Sequence, residues 1–377
     1  MTKRGCLWLL AVVDTYFPKL LSGFRYWENF QFYEIDKSIL FFSVHKMNDY
    51  FPAKVLPLES IKEYPVTDIY CFFLNHTLGL LDCPLEIPGK RNYGLSSFIK
   101  DNDISIHATI GPGGGYEDVS HWDQVVKGLE FLRDHPNVKS VFTNLSDVQK
   151  IIPKAYRVAG VVNTDLYKYV SRVKSDQLQL LFVAHRPLTL AQKGLDYLIE
   201  AFNLLDPSKY HLHVVGGDWT KEVSRIENDN YTYYGTLPPN KLREVMYKCH
   251  VIANPTYKIK VPALSKFIHR NKIYVSIDSF PTTAAAEAMS TGCCLISTNP
   301  RHDYFALSPD EDYLEVREKS VEDLLEALQY LYMNQDKMLS MARKGHEKIL
   351  KFFDFKKNVA FKYNVIKGKI GVQESNL

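Results

Sequence analysis

Short apolar runs alternate with longer amphipathic stretches along almost the whole of this chain, and that alternation leaves few folds open. A short apolar run suits a strand buried on both faces, and an amphipathic stretch suits a helix lying over it. Repeated in order, the two give parallel sheets covered by helices. In the first half, strands are predicted over 7–13, 38–44, 69–74, 104–110, 138–143 and 156–162. A helix is expected after Gly23. Another is expected over 122–133, where Val125, Val126, Leu129 and Leu132 share one face.

Past a polar stretch at 171–177 the pattern restarts. "QLQLLFVAHR" reads as a strand, "GLDYLIEAFNLL" as a helix, "YHLHVVGG" as a strand, and "PNKLREVMYKC" as a helix leading into "HVIANP"; "SVEDLLEALQYLYM" is a further long helix. At 377 residues the chain is longer than one hydrophobic core normally fills. The expectation is an α/β protein of two Rossmann-like, doubly wound domains, 1–172 and 173–355, facing each other across a cleft. Ligands of such sheets bind at the C-terminal edges of the strands.

Composition narrows the class further. Apolar residues make up 46% and charged residues 24%, as in ordinary globular proteins. A net charge of +3 speaks against a nucleic-acid binder, which concentrates basic charge on one face. The six cysteines form no C-x-x-C pair and read as reduced, buried thiols of a cytoplasmic protein. The opening "MTKRGCLWLLAVVDTYF" fits a buried first strand better than a signal peptide, because Asp14 interrupts its apolar run. No stretch has the roughly 18 consecutive apolar residues of a spanning helix.

The most informative segment is "IDSFPTTAAAEAMSTGCCLIST", from Ile277 to Thr298. Pro281 forces the helix to begin after it, Thr282 or Thr283 can cap it, and Gly292 ends it. The amides and dipole at such a helix start attract an anion such as a phosphate. Ala284, Ala285 and Ala286 keep the backbone accessible, and Glu287 can accept hydrogen bonds from a sugar diol such as a ribose. An ordinary strand-helix-strand unit with a small-residue helix explains the same pattern. Arg186 and Lys193 tip the balance, since they follow the second domain's first strand at the same sheet edge. A guanidinium and an ammonium there can neutralise a diphosphate leaving group.

These residues carry a resemblance to the retaining glycosyltransferases of family 4, which have the type-B glycosyltransferase fold. The family's glutamate, Gly-Phe-Pro turn and second glutamate with Ala-Met-Ala-x-Gly appear as Asp278, Ser279-Phe280-Pro281 and Glu287-Ala288-Met289-Ser290-Thr291-Gly292. Its strand-Arg…Lys-Gly loop appears as Arg186 and Lys193-Gly194. "LHVVGGD", "TYYGTLPPNKLREVMYKCHVIANPT" and "VVNTDLY" resemble further family segments, as does Ser22-Gly23 after the first strand. The match is good over 138–355 and loose before that.

The resemblance implies a sugar moved from a nucleoside-diphosphate sugar, first GDP-mannose and then a UDP-sugar, to a hydroxyl of a glycan, glycoprotein or glycolipid. Arg186 and Lys193 would bind the diphosphate, with Gly23 approaching it from the first domain, and Glu287 would hold the ribose. Asp278, with Ser279, Phe280, Thr282 and Thr283, would contact the donor sugar and phosphate; Gly235, Thr236 and Leu237 would line the base pocket. No metal is implied, and the last helix, about 356–377, would cross back to the first domain. On the acceptor side the family often carries a histidine after a central strand. The candidates here are His107 and the loop "GPGGGYED" with Gly113, Gly114 and Gly115; His45 and His76 also fall near strand ends. Departures from the family are the shorter Asp278, the longer spacing from it to Glu287, and the insertion "KIKVPALSKFIHRNKIYVSI".

Other readings remain at this stage. Asp101–Asp103 and Asp310–Asp312 formally match the Asp-x-Asp pair of a metal-dependent type-A transferase. The shortened Asp278 leaves room for a sugar-nucleotide-binding protein that has lost catalysis. The basic, aromatic tail "KFFDFKKNVAFKYNVIKGKIG" suits either packing or weak peripheral membrane contact, and a homodimer is open.

Overall fold

The strand-helix alternation resolves into two parallel sheets. In the computed structural model the residues described are 5–9, 24–43, 55–87, 89–111, 122–184, 193–262, 273–276 and 279–370. The chain divides into two units. One comprises 1–159, 262–275 and 355–377, and the other 160–261 and 276–354.

In the first unit, β1 (Gly5–Leu9), β2 (Leu40–Ser43), β3 (Val55–Pro57), β4 (Val66–Phe72), β5 (Ser105–Ile110), β6 (Val138–Thr143) and β7 (Tyr156–Arg157) form a sheet in the order β3-β2-β1-β4-β5-β6-β7. Every pairing in it is parallel. The expected strand over 69–74 starts earlier and stops at Phe72, because Phe73 takes φ 72° and turns the chain into α1 (Leu74–Leu80). Neither that helix nor β3 was expected; both are too short to show a period. The helix after Gly23 is α2 (Phe24–Ile35), and the one over 122–133 is α3 (Trp122–Asp134). The α3 helix buries Val125, Leu129 and Leu132 with Gly128, whereas Val126 stays half-exposed. Gly128 lies against the Leu78 side chain of α1.

The second unit repeats the plan. Its strands are β8 (Leu178–Val183), β9 (Tyr210–Val215), β10 (Tyr231–Tyr233), β11 (Val251–Asn254), β12 (Cys294–Ser297) and β13 (Tyr313–Glu315), in the order β10-β9-β8-β11-β12-β13 and again parallel. Its longer helices are α4 (Leu195–Asn203), α5 (Pro239–Met246), α6 (Thr283–Ser290) and, after β13, α7 (Val321–Met333) and α8 (Gln335–Phe352). Both sheets reverse their winding at one point, between β1 and β4 and between β8 and β11. Two short strands, Ile259–Pro262 and Ile273–Ser276, frame the insertion; 263–272 lie outside the described residues.

The division falls at Ala159/Gly160, ahead of the polar stretch at 171–177. The intervening segment is bonded into the second unit. Val162 N–H donates to the Phe353 carbonyl at 2.7 Å and Val170 N–H to that of Thr291 at 3.0 Å. The Arg172 guanidinium donates to the carbonyls of Cys249 (2.7 Å) and Met246 (2.9 Å).

After Asp354 the chain returns to the first unit as α9 (Phe355–Ile366). Phe355, Val359, Phe361, Val365 and Ile366 are buried there, so packing takes up the tail's apolar face. Among them Lys362, only 3% exposed, bonds Glu28 of α2 at 2.6 Å. Tyr70 donates to the same carboxylate at 2.6 Å, and Lys362 also reaches Tyr70 and Thr109 at 3.3 Å. Burial and the Glu28 charge hold the Tyr70 phenol well above its ordinary pKa, which keeps it a donor. Among the described residues, no helix is long and apolar enough to cross a membrane.

Removing one partner of a buried pair strands the other charge, at a cost of about 3–5 kcal/mol. Lys362→Met should therefore lower stability of the first unit by that order in urea unfolding, and Glu28→Gln added to it should recover part of the loss. A Lys362→Met loss below about 1 kcal/mol, the scale of exposed pairs, would contradict this.

Candidate functional site

At the C-terminal edge of the second sheet, the reversal between β8 and β11 opens a crevice. The chain returns from β8 through Lys193 and Gly194 into α4; residues 185–192, Arg186 among them, lie outside the described residues. Gly194 has φ 73°, and a Cβ built on it would stand 2.0 Å from the Pro255 carbonyl oxygen. Only glycine lets this turn lie flat on the loop that follows β11.

The next residue back, Asn254, ends β11 and is buried. Its side-chain oxygen accepts from the Thr282 hydroxyl at 3.1 Å, and its amide donates to the Ser297 hydroxyl at 3.2 Å. Thr282 in turn caps α6, accepting from Ala285 N–H at 3.3 Å. Of the two expected caps it is Thr282 that serves, and Thr283 opens the helix. The β8–α4 turn, the end of β11 and the start of α6 are thus fastened together.

The amides of Thr283 and Ala284 have no partner among the described residues and sit at the helix's positive end. Ala285 and Ala286 are fully buried, so their small size serves close packing of α6 on the sheet. Phe280 leans on Tyr313 with ring centres 5.0 Å apart, and the Ser279 hydroxyl donates to the Pro281 carbonyl at 3.4 Å. Asp278 lies outside the described residues.

Glu287 follows one turn into α6. Burial pushes its carboxyl up to about 8, against a hydrogen bond from the Tyr167 phenol that favours the ionised form. Burial, then the Glu287 charge, raise Tyr167 well above the ordinary phenol value. Tyr167 lies on the segment 160–172, whose residues run along the back of α6. Ser290 Oγ donates to the Tyr167 carbonyl at 2.7 Å, and Gly292, at φ 97°, leaves room for the Val170 carbonyl and the Tyr169 ring. Sequence reasoning missed Tyr167, Asn254 and Ser297. An asparagine ending an apolar strand was a faint signal for Asn254; nothing local marked Tyr167.

At the same edge, β9 and β10 end in Gly216 and Gly235, joined by the Gly216 N–H donating to the Gly235 carbonyl at 2.8 Å. A side chain built on Gly235 would meet nothing within 4 Å, so the ledge formed with Thr236 and Leu237 is open. Trp219 fixes the neighbouring strand end through its indole N–H on the Ala184 carbonyl at 2.9 Å.

In the first unit, Gly23, His45, Gly113, Gly114 and Gly115 lie outside the described residues. His107 is held inside the sheet, with Nδ1 2.7 Å from Ser140 Oγ and Nε2 3.2 Å from Asp68, a carboxylate lowered by His107 and Thr67 against the effect of burial. It is a packed strand residue with its polar atoms spoken for, not an edge residue. The histidine near the edge after β4 is His76, with Nδ1 2.6 Å from the Tyr93 hydroxyl. The Asp-x-Asp triplets fall at a helix end (Asp101 closes the helix Ser96–Asp101) and in a turn; Asp103 and Asp310 have positive φ and Asp312 accepts from Ser308 N–H at 2.9 Å. Cys71, Cys83, Cys249, Cys293 and Cys294 are buried free thiols.

Two parallel doubly wound sheets, with this polar junction at the winding reversal, are the fold of the type-B glycosyltransferases. The chain matches sucrose-phosphate synthase of Thermosynechococcus elongatus at TM-score 0.64 with 13% identity, over 97% of this chain and 99% of that one. It matches HepE of Anabaena, in complex with UDP, at TM-score 0.67 with 12% identity, over 97% of this chain and 100% of that one. A Rickettsia africae glycosyltransferase matches at TM-score 0.65 with 12% identity, over 98% and 99%. Residues 177–334, which apart from 262–275 lie within the second unit, match the family described as Glycosyl transferases group 1. Among curated proteins, an uncharacterized 41.2 kDa protein in the cps region of Klebsiella pneumoniae is 28% identical over 86 residues; the chain spans 23% of that relative.

Two outcomes follow from the geometry. Glu287 titrates near 8 in the folded protein against an ordinary 4.5, so the native state binds more protons between those values and stability falls as pH rises through them. Glu287→Gln should flatten that slope in melting temperature measured from pH 4.5 to 8.5; an unchanged slope would refute the assignment. Gly194→Ala should destabilise the second unit by more than about 1 kcal/mol, since alanine fits neither the φ nor the space. Chemical unfolding measures it.

Proposed function

We propose that this protein transfers a sugar from a nucleoside-diphosphate sugar to an acceptor hydroxyl. The observation that carries the reading is the junction at the end of β11. It fastens the Lys193-Gly194 turn and the start of α6 to one sheet edge, and Glu287 follows one turn into that helix. In this reading the Lys193 ammonium and the amides of Thr283 and Ala284 stabilise negative charge as the diphosphate departs. Glu287 accepts hydrogen bonds from the ribose, while Gly235, Thr236 and Leu237 receive the base. Arg186, Asp278 and Gly23 keep the roles that the family resemblance implies.

The finer assignments are part of the same proposal. The resemblance supports retention at the anomeric carbon, with attack from the leaving-group face aided by the departing phosphate. Cationic side chains at the diphosphate support a reaction that needs no metal. For the donor, the resemblance favours GDP-mannose, but HepE is seen with UDP-glucose, and that moves UDP-glucose to the head of the donors to test. The acceptor is a glycan, glycoprotein or glycolipid hydroxyl.

Titration calorimetry with UDP-glucose and GDP-mannose, with and without EDTA, tests the proposal. Binding of at least one donor, unaffected by EDTA, is expected; restoration of lost binding by Mg²⁺ or Mn²⁺ would overturn the metal-free account. A ribose diol favours the ionised Glu287, so below pH 8 binding should release a proton, seen as a heat that changes with the buffer's ionisation enthalpy. Binding without transfer or slow hydrolysis would identify a sugar-nucleotide-binding protein instead.

A further inference from the structure

We infer that the first unit carries a carbohydrate-binding pocket between the 3₁₀ turn Leu58–Glu63 and the loop 92–95, and that it takes a sugar residue of the acceptor. The acceptor role rests on the transfer reading above; the pocket itself does not. It is a cavity of about 310 Å³ lined by Leu58, Glu59, Lys62, Asn92, Tyr93 and Leu95. Small-molecule sites run from about 300 to 1,000 Å³, so this one suits a single small ring. One wall starts where β3 ends, and the other hangs on α1, which starts just past β4. Both walls therefore grow from C-terminal strand ends, the side on which such sheets bind ligands.

The second wall is held in place. Asp82 accepts from the N–H groups of Gly94 (2.8 Å) and Ser96 (3.0 Å). Tyr93 N–H donates to the Gly79 carbonyl at 3.1 Å, and its hydroxyl lies 2.6 Å from His76 Nδ1. Burial pushes that phenol up to about 12, so it stays uncharged. Leu58 and Leu95 are buried and apolar, whereas Glu59, Lys62 and Asn92 are exposed beside them. Glu59 and Lys62 stand three residues apart, the spacing at which side chains of a 3₁₀ turn overlie one another. Yet neither side chain has a hydrogen bond or ion pair among the described residues, so both charges are open to a ligand. The Asn92 side-chain oxygen accepts from Lys90 Nζ at 2.6 Å, which leaves its amide hydrogens to donate. An anion would be repelled by Glu59 and a cation by Lys62, so the two together select against either. They favour a neutral ligand dense in hydroxyls, which donate to the carboxylate and accept from the ammonium. An aromatic ring and two leucines suit the C–H faces of such a ligand. A sugar presents both surfaces.

Amide NMR on the ¹⁵N-labelled full chain, titrated with methyl glucoside, methyl mannoside, methyl galactoside and N-acetylglucosamine to tens of millimolar, tests the pocket. At least one sugar should shift the amides of 58–62 and 93–95. Glu59→Ala and Lys62→Met should each weaken that binding about tenfold, the scale of a hydrogen bond to a charged group. Both side chains are exposed, so the fold should survive, and UDP-glucose or GDP-mannose should bind each variant as it binds the wild type. No shift at these amides with any sugar, or an affinity unmoved by both substitutions, would overturn the inference. So would binding of glycine or inorganic phosphate there in place of every sugar. For the acceptor role, the bound sugar should raise release of UDP or GDP above donor hydrolysis, and Glu59→Ala should raise the sugar concentration this needs. Absence of that stimulation overturns the acceptor role. A sugar bound at the pocket while neither donor binds sinks the transfer reading and leaves the pocket; a donor bound with no sugar at the pocket does the reverse.

Discussion

The second unit depends on how closely its backbone approaches itself at the end of β11. Gly194 and the Pro255 carbonyl are so near that a single methyl group would not fit between them. That contact sets where the chain returns from β8, and Asn254, one residue earlier, then sets where α6 begins. A parallel sheet needs a long connection after every strand, so the ends of its strands are where loops from both winding directions meet. Here they meet as a closed hydrogen-bonded junction. Thr282, Asn254 and Ser297 satisfy one another, and the helix start is held rigid beside the Lys193 turn.

Rigidity at this junction gives meaning to an otherwise costly feature. Burying a carboxyl raises the free energy of its charged form, and Glu287 shows this in its high titration point. A group near the balance between neutral and ionised is sensitive to what it binds. Desolvation holds the Glu287 carboxyl near that balance, on a helix whose start is fixed by hydrogen bonds to the neighbouring strand ends.

The first unit solves a different problem, that of fastening the end of the chain. The α9 helix has a basic and aromatic sequence, and its Lys362 enters the interior only because Glu28, Tyr70 and Thr109 surround it with acceptors. Such a pair adds less to net stability than an apolar contact of equal volume, but its geometry admits one register of α9 on α2. Phe73, with its positive φ at the end of β4, is a second point where the unit accepts backbone strain, and it lies at that sheet's winding reversal.

By itself the sequence determined what depends on near neighbours. The strand over 138–143, the helix over 122–133, the capped start of α6 after Pro281 and its end at Gly292 all follow from periodicity, proline and glycine chemistry within a few residues. The doubling of the pattern was enough to show two parallel sheets. The tertiary structure alone decided which distant polar groups meet. His107, beside a glycine loop, could be read either as a strand histidine or as an acceptor-side residue, and it is Ser140 and Asp68, on neighbouring strands, that claim its two nitrogens. Tyr167 looked like part of a connection, yet it is buried against α6, its carbonyl accepting from Ser290 Oγ. Apolar periodicity says which face of an element is buried but not which element covers it. The directional partners of a buried polar group therefore stay unknown until the strands have an order and a register.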